Sequence, residues 1–494
     1  MSGTAQPQAG GPLPQAAPAG MQRIPFPTES YPHPSEPLSS KRLLNLYVES
    51  APADSRTTTP LISSPGLVPL IVVGTGPIEA VNDQKPGLWY VVSGDTAWRV
   101  RSTLAGLVTD YIGLVGTKDG ATAVPSYARM VTIAVDNISV VICVPPRSYT
   151  CGHNPGDVLQ ILGGSYPGAA SVTALDGYYV FSSYPSIDTF FISQIFDPLD
   201  YDALDYASAD AMPNNLLRVV THRSDLWLFG DGGIEVWYDT GAADFPFRRR
   251  PGGVLEFPAS SYMTIGHGDG SLFWLGQQNI VYRTTGYQAT RISTHGIEAK
   301  IREIGGGYTA RSGYCYSQDG HIFYVLNFDA ITLVYDCATK MWHERSSAAD
   351  GNGRWRAQWA VKYGDGAQFA DNVTGQMYVS YMPGVRDNGV PIMRQAILPP
   401  DWAGTRRAFC SRLEVEMESG GDLSPGDVTL DWSDDGGRTW TGGPRTMSAG
   451  APTEFRKRVY TTRLGSFRQR MFRLTTHGHC CFYAADADIQ LGAS

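Results

Sequence analysis

The sequence has 494 residues, a formal net charge of −8, only 17% charged residues, 55 glycines, 33 prolines and 26 tyrosines. The acidic balance excludes a protein that coats nucleic acid over its whole surface, and no apolar run reaches the 18 residues of a membrane-spanning helix. The turn-rich, aromatic composition shows no long amphipathic helical pattern, so it predicts an all-β chain with ample core.

The length suits two or three domains, or one large repeat domain. Seven cysteines at 143, 151, 315, 337, 410, 480 and 481 form no CxxC pair and are expected as reduced core thiols of a protein that folds in the cytoplasm. The N-terminus has no basic stretch followed by an apolar one, so no signal peptide is expected.

Residues 1 to about 38 are rich in Pro, Gly, Ala, Gln and Ser and cannot bury enough apolar surface to fold alone. In 41–70 (KRLLNLYVESAPADSRTTTPLISSPGLVPL) apolar residues alternate with Pro and Ser. Residues 1–70 are therefore expected to be an extended N-terminal arm, its second half packed on the first blade of a repeat domain. From 71 to 395 a strand, turn, strand unit recurs. Its clearest copy is LRVVTHRSDLWLFGDGGIEVWYD, where β-branched and aromatic residues favour a half-buried pleated surface and Gly230, Asp231, Gly232 and Gly233 supply the turn. Copies start near Ala80, Val131, Val172, Val219, Met263, Tyr314 and Val361, spaced 41 to 51 residues apart. That period predicts a β-propeller-like repeat domain of about seven blades. An irregular set of antiparallel sandwiches is the competing architecture.

Two stretches interrupt the repeats and are expected as loops: 197–215, acidic and Tyr-rich, and 245–257 (FPFRRRPGGVLEF). Arg248, Arg249 and Arg250 are either solvated or contact an acidic partner or nucleic acid. From 396 to 494 longer alternating strands separated by turn-rich stretches predict a C-terminal β-sandwich. Alternation places Arg456, Arg458, Arg463, Arg468, Arg470 and Arg473 largely on the outer face of its sheet, so Arg456, Lys457 and Arg458 join the 248–250 run as candidate subunit or adaptor contacts.

Ser433-Asp434-Asp435-Gly436-Gly437-Arg438-Thr439-Trp440 matches the S-x-D-x-G-x-x-W hairpin called an Asp box. In it Asp435 accepts backbone N–H groups, Gly436 and Gly437 take positive φ and Trp440 packs under the turn. This is a structural turn, with Ser433, Asp435, Gly437 and Trp440 as its fixed points. No catalytic residues, cofactor site or metal site are assigned. Asp197, Asp200, Asp202, Asp205 and Asp210 read as a solvated loop or a Ca²⁺ site without the Gly and terminal Glu of an EF-hand. His477, His479, Cys480 and Cys481 read as a turn with buried Cys or as metal ligands lacking a second half. Cys151 and His153 have no Asp or Asn partner for a thiol triad.

NLYVES (45–50), SSPGL (63–67), DPLDYDALDYASAD (197–210) and LWLFGDGGIEVWYDTGAADFPF (226–247) together resemble the packaged-DNA stabilisation proteins of short-tailed phages. WSDDGGRTW and RLGSFRQRMFRL (463–474) resemble the C-terminal end of the same family. The resemblance implies a tail hub, or nozzle, protein of the virion, assembled in the host cytoplasm as a homohexamer beneath the portal and adaptor ring. It implies a DNA channel that continues through the ring without sequence-specific binding, retention of the packaged genome until ejection, and attachment of needle, fibre or spike proteins. It implies no enzyme, cofactor or membrane. A carbohydrate-binding or glycosidase-like propeller is the alternative, with Tyr184, Tyr201 and Tyr206 as rings to stack on sugars.

Overall fold

Six runs, LWYVV, SVVICV, YYVF, LWLF, SLFWL and IFYVL, are apolar without alternation, which is the mark of strands covered on both faces, and a shorter one, AQFA, follows. In the computed structural model these runs are the second strands of seven consecutive sheets, and Ser139–Val144, Asp225–Gly230 and Ser271–Leu275 are buried at every residue. The structure describes residues 20–32, 40–52, 57–85, 87–116, 130–185, 188–211, 215–242, 244–364, 366–418, 426–448 and 456–492. Residues 1–19, 33–39 and 53–56 of the expected arm lie outside them.

The described residues are nearly all β and fall into two compact units. One unit, Leu67–Ala338 with Gly353–Ser380, is a seven-bladed β-propeller. Its innermost strands are Ile78–Lys85, Thr132–Val135, Ala169–Leu175, Leu216–His222, Gly266–Gly268, Ala310–Gln318 and Ala357–Tyr363. Blades one to five are antiparallel meanders of four strands. The seventh takes a neighbour for Gln376–Tyr381 from the start of the unit, Gly66–Val72, so the ring closes by pairing the two ends of the chain segment. The end of the expected arm, 66–70, thus belongs to the outer strand of the last blade, and Ile71 of the same strand packs against the cluster that Trp89, Val91 and Val100 of the first blade share.

Hydrogen bonds cross every blade boundary. Asn82 donates to the Ile133 carbonyl (2.8 Å), Val172 N–H to Thr132 (3.0 Å) and Thr221 N–H to Thr173 (3.1 Å). Tyr287 donates to Asp225 (2.7 Å), Tyr324 to the Thr264 carbonyl (2.7 Å), Tyr314 to the Ala357 carbonyl (3.0 Å) and Lys362 N–H to Asp83 (2.6 Å). Apolar clusters fill the boundaries between blades one and two, two and three, three and four, four and five, and seven and one. Trp89, Val91 and Val100 of blade one meet Val361, Ala370 and Met377 of blade seven, for example. Each such buried side chain contributes roughly 1.5–3 kcal/mol. Gly313 is held to glycine by this closeness, because a Cβ there would lie 2.1 Å from the Thr264 carbonyl oxygen.

The reading of 245–257 as a loop is corrected by the structure, and that of 197–215 in part, since 197–205 is a loop. Tyr206–Ser208 and Phe247–Leu255 are the outer strands of blades three and four. Edge strands bury one face only and carry charges and Pro, so they lack the apolar alternation that marks inner strands.

The other unit comprises Met1–Gly66, Thr339–Asn352 and Tyr381–Ser494. Residues 339–352 and 381–395, counted from sequence as propeller, therefore belong with the C-terminal β-sandwich. Its first sheet runs Leu46–Val48, Leu61–Ser63, Cys481–Leu491, Ala408–Glu418, Arg456–Phe467, with Gln22–Ile24 also on Cys481–Leu491. The second contains Trp342–Arg345, Ser40–Leu44, Arg394–Ile397, Gln469–Thr476, Val428–Ser433 and Arg445–Met447 in that order. One core lies between them: Leu46, Leu61, Val415 and Phe482 from the first sheet pack with Leu43, Ala396, Leu430 and Leu474 from the second. The N-terminal segment thus adds strands to both sheets of the sandwich.

Candidate functional site

The Arg248–Arg250 run lies on the edge strand of blade four, where Arg248 pairs with Tyr238 and Arg249 with Trp237. Arg250 turns inward and bonds Asp225 at 2.5 Å. Its guanidinium lies 4.8 Å from the Tyr238 ring centre and 5.3 Å from that of Tyr287. The Asp225 bond holds its pKa above the usual arginine value. Arg249 lies 3.8 Å from both Asp210 and Glu235. Of the three, only Arg248 is exposed with no hydrogen-bond or ion-pair partner among the described residues.

In the sandwich, Arg458 is exposed 3.6 Å from Glu414, and Lys457 is half-buried on the same strand. The side chain of Arg456 lies outside the described residues. The outward reading fails for Arg470, while Arg473 keeps a partly exposed side chain on the face opposite Phe472 and Leu474. Arg470 is 2% exposed and bonds both oxygens of Asp434 at 2.7 Å and the Leu464 carbonyl at 2.6 Å. Arg473 bonds Asp431 at 2.6 Å and lies 4.0 Å from the Trp440 ring centre. The long alternating run breaks at Arg468, and its second half, Gln469–Thr476, belongs to the other sheet, which reverses the meaning of the alternation.

These two arginines brace the Asp-box hairpin. Ser433 Oγ donates to Asp435 Oδ1 (2.7 Å) and accepts from Gly437 N–H (2.9 Å). Asp435 accepts Thr439 N–H at 2.9 Å and the Thr439 hydroxyl at 2.6 Å. The Thr439 hydroxyl, its backbone N–H and the Ser433 hydroxyl hold the Asp435 carboxyl well below the usual carboxylate range. Gly436 and Gly437 sit at φ 84° and 101°.

Inside the propeller ring a cavity of about 430 Å³ is lined by Asn82, Asp83, Arg218, His267, Asp269 and Lys362, among others. Its carboxylates are engaged: Asp83 accepts Lys362 N–H and Asp269 accepts from Arg283 at 2.9 Å. Arg218 donates to the carbonyls of Tyr262 (3.2 Å) and Ile265 (3.4 Å), and burial pushes its pKa down to about 10.

Cys151 is buried, and that burial pushes its thiol up to about 12. His153 Nδ1 is hydrogen-bonded to the Tyr90 hydroxyl at 2.6 Å, away from any nucleophile–base pairing with the thiol. Residues 477–480 form a turn that buries Cys480, whose N–H donates to Ser63 Oγ at 2.8 Å. Among the described residues no group of three or more His, Cys, Asp or Glu is placed to hold a metal ion. Tyr201, a candidate sugar platform, is buried against Tyr166, Phe181 and Phe191, whereas Tyr184 and Tyr206 are exposed.

The fold and these side-chain commitments define a structural protein built from a β-propeller and a β-sandwich, in each of which conspicuous charged residues pin strands and hairpins. The family is shown by sequence profiles: one described as Bacteriophage P22 Gp10, beta-propeller, matches residues 46–380, and one described as Bacteriophage P22 Gp10, beta-sandwich, matches 401–491. The chain belongs to the bacteriophage P22 Gp10 family and is a phage tail structural protein, a component of the virion.

No curated protein matches the sequence. Similar solved structures include the computationally designed Ika8 protein (11% identity, TM-score 0.37, covering 65% of this chain and 100% of that one). They also include the N-terminal domain of Nup159 (8%, 0.38, 64% and 93%). A third is the extracellular domain of the putative hybrid two component system BT4673 from B. thetaiotaomicron (9%, 0.40, 65% and 40%).

Proposed function

We propose that this chain is the subunit of the tail hub, or nozzle. In this reading six copies form a ring below the head-to-tail adaptor, continue the DNA channel, help retain the packaged genome until ejection, and anchor needle, fibre or spike proteins. Assembly takes place in the host cytoplasm. The observation that carries the reading is that both parts of the chain, propeller and sandwich, match the two domains of one phage family in order. The architecture supports it physically. A closed propeller has short, protected sheet edges and every blade boundary hydrogen-bonded, which suits a wall element. A net charge of −8 favours DNA that slides past without adhering.

The test is the number of copies per DNA-filled particle, measured by quantitative mass spectrometry, together with DNA retention in particles lacking the gene. About six copies, with genome loss in the knockout, are expected by analogy with ring-forming homo-oligomers. Absence of the chain from the particle refutes the role.

A further inference from the structure

Two surfaces among the described residues combine exposed apolar side chains with unbalanced charge. Between Arg147 and Arg218 there is no lysine or arginine, while eight aspartates occur. Within this anionic segment, the loop 195–206 of blade three exposes Ile195, Phe196, Leu199, Leu204 and Tyr206, with Leu204 at 79%. The loop is built to hold that display. Tyr201 is buried beneath it and donates to the Pro198 carbonyl at 2.5 Å. The Asp197 and Asp202 carboxylates accept the N–H groups of Leu199 and Leu204, each at 2.9 Å. Gln194 N–H donates to the Asp200 carbonyl at 2.9 Å. A contiguous exposed apolar set on a stiff loop marks a surface that another protein covers. The Asp200 carboxylate is exposed at its rim with no basic partner among the described residues.

The second surface is at one end of the sandwich. Trp402 is 56% and Phe409 53% exposed. Arg406, Arg407, Arg463 and Arg468 are exposed around them, without a carboxylate partner among the described residues. Backbone bonding brings them together: Trp402 pairs with Gln469, Ala403 N–H donates to the Arg468 carbonyl at 2.8 Å, and Phe409 pairs with Ser466. Asp434, the carboxylate bound by Arg470 next to Gln469, is already engaged.

We propose that, within the ring inferred above, the 195–206 loop of one copy docks on the Trp402–arginine end of the sandwich of the next copy. The argument is charge and chemical complementarity. Leucine and aromatic side chains rimmed by unpaired aspartate meet a tryptophan and a phenylalanine rimmed by unpaired arginine. Two different patches on one chain make a head-to-tail contact, which repeats from copy to copy and closes into a ring when the rotation permits. Charged rims steer the encounter, while the apolar centres hold the contact.

The test uses the full chain, with its mass measured by native mass spectrometry and analytical ultracentrifugation at low and high salt. Asp200→Arg with Leu204→Ser changes one surface and Arg406→Asp with Arg407→Asp the other. None of these side chains forms a hydrogen bond or ion pair in the described structure. The expected result is an oligomer for the wild type and at least ~100-fold weaker self-association for each double variant, with unchanged thermal unfolding. An equimolar mixture of the two variants is expected to give dimers and nothing larger, because each retains one good surface. Variants that assemble like the wild type overturn the proposed contact and leave the ring standing. A wild type that stays monomeric at all concentrations overturns the contact, while the ring reading is decided separately by the number of copies per particle.

Discussion

Arg394 gives the sandwich its sharpest test. It is fully buried and faces no carboxylate within ion-pair distance among the described residues. Instead, its guanidinium is caged by four carbonyls: His477 and Gly478, each at 3.2 Å, from one nitrogen, and Ser64 (3.0 Å) and Gly384 (2.8 Å) from another. One side chain thus ties three distant segments of the same unit. Arg394→Met keeps much of the volume, removes the charge and takes the guanidinium donor from four carbonyls, three of them in buried residues. Each orphaned acceptor costs about 1–3 kcal/mol, offset in part by relief of the buried charge. A net loss of about 3–5 kcal/mol matches what truncating a buried charged hub costs, and at about 2–4 °C per kcal/mol it lowers the sandwich transition by roughly 10 °C. Differential scanning calorimetry with near-UV circular dichroism reads the transition. Arg394→Lys is expected to rescue little, because an ammonium cannot fan out to four acceptors. A shift under about 2 °C in Arg394→Met, or full stability in Arg394→Lys, refutes the cage as a stabilising element.

Three more outcomes are expected of the same structure. Asp435 is held below the usual carboxylate range in the folded hairpin, so its stabilisation is present above the ordinary carboxylate pKa and is lost as pH falls. The protection of the Thr439 amide, measured relative to its intrinsic exchange rate, should fall on acidification below about pH 4, and Asp435→Asn should lack that dependence. Burial lowers His222 to about 4, and His267, 4.8 Å away ring to ring, is also lowered. Both stay neutral in the fold, so the propeller should lose stability as pH drops from about 6.5 toward the lowered value, with a shallower slope in His222→Gln. Burial raises all seven thiols, with Cys143, Cys151, Cys337 and Cys481 at about 12 and Cys410 at about 11. Iodoacetamide at pH 8 should leave the native chain unlabelled by mass spectrometry and label it fully in denaturant.

The repeat itself was legible in the chain. Strands covered on both faces must be apolar at consecutive positions, and Gly/Asp turns must separate them, so seven copies at 41 to 51 residues announce a closed ring before any coordinates. The Asp-box turn was legible for a similar reason, because local chemistry alone dictates its positive-φ glycines and its amide-binding aspartate. What tertiary structure decided is everything that depends on which strand is an edge and which sheet it joins. Phe247–Leu255 is a strand only because blade four offers it an edge to pair with. Gly66–Val72 closes the last blade, far from it in sequence, because ring closure rewards pairing the two ends of the repeat array. Arg470 is a core residue because the chain changes sheet at Arg468, and period-2 alternation loses its phase across such a corner. Charge patterns on this chain were thus readable as residue types from sequence, but their roles were set by long-range pairing, which no local period encodes.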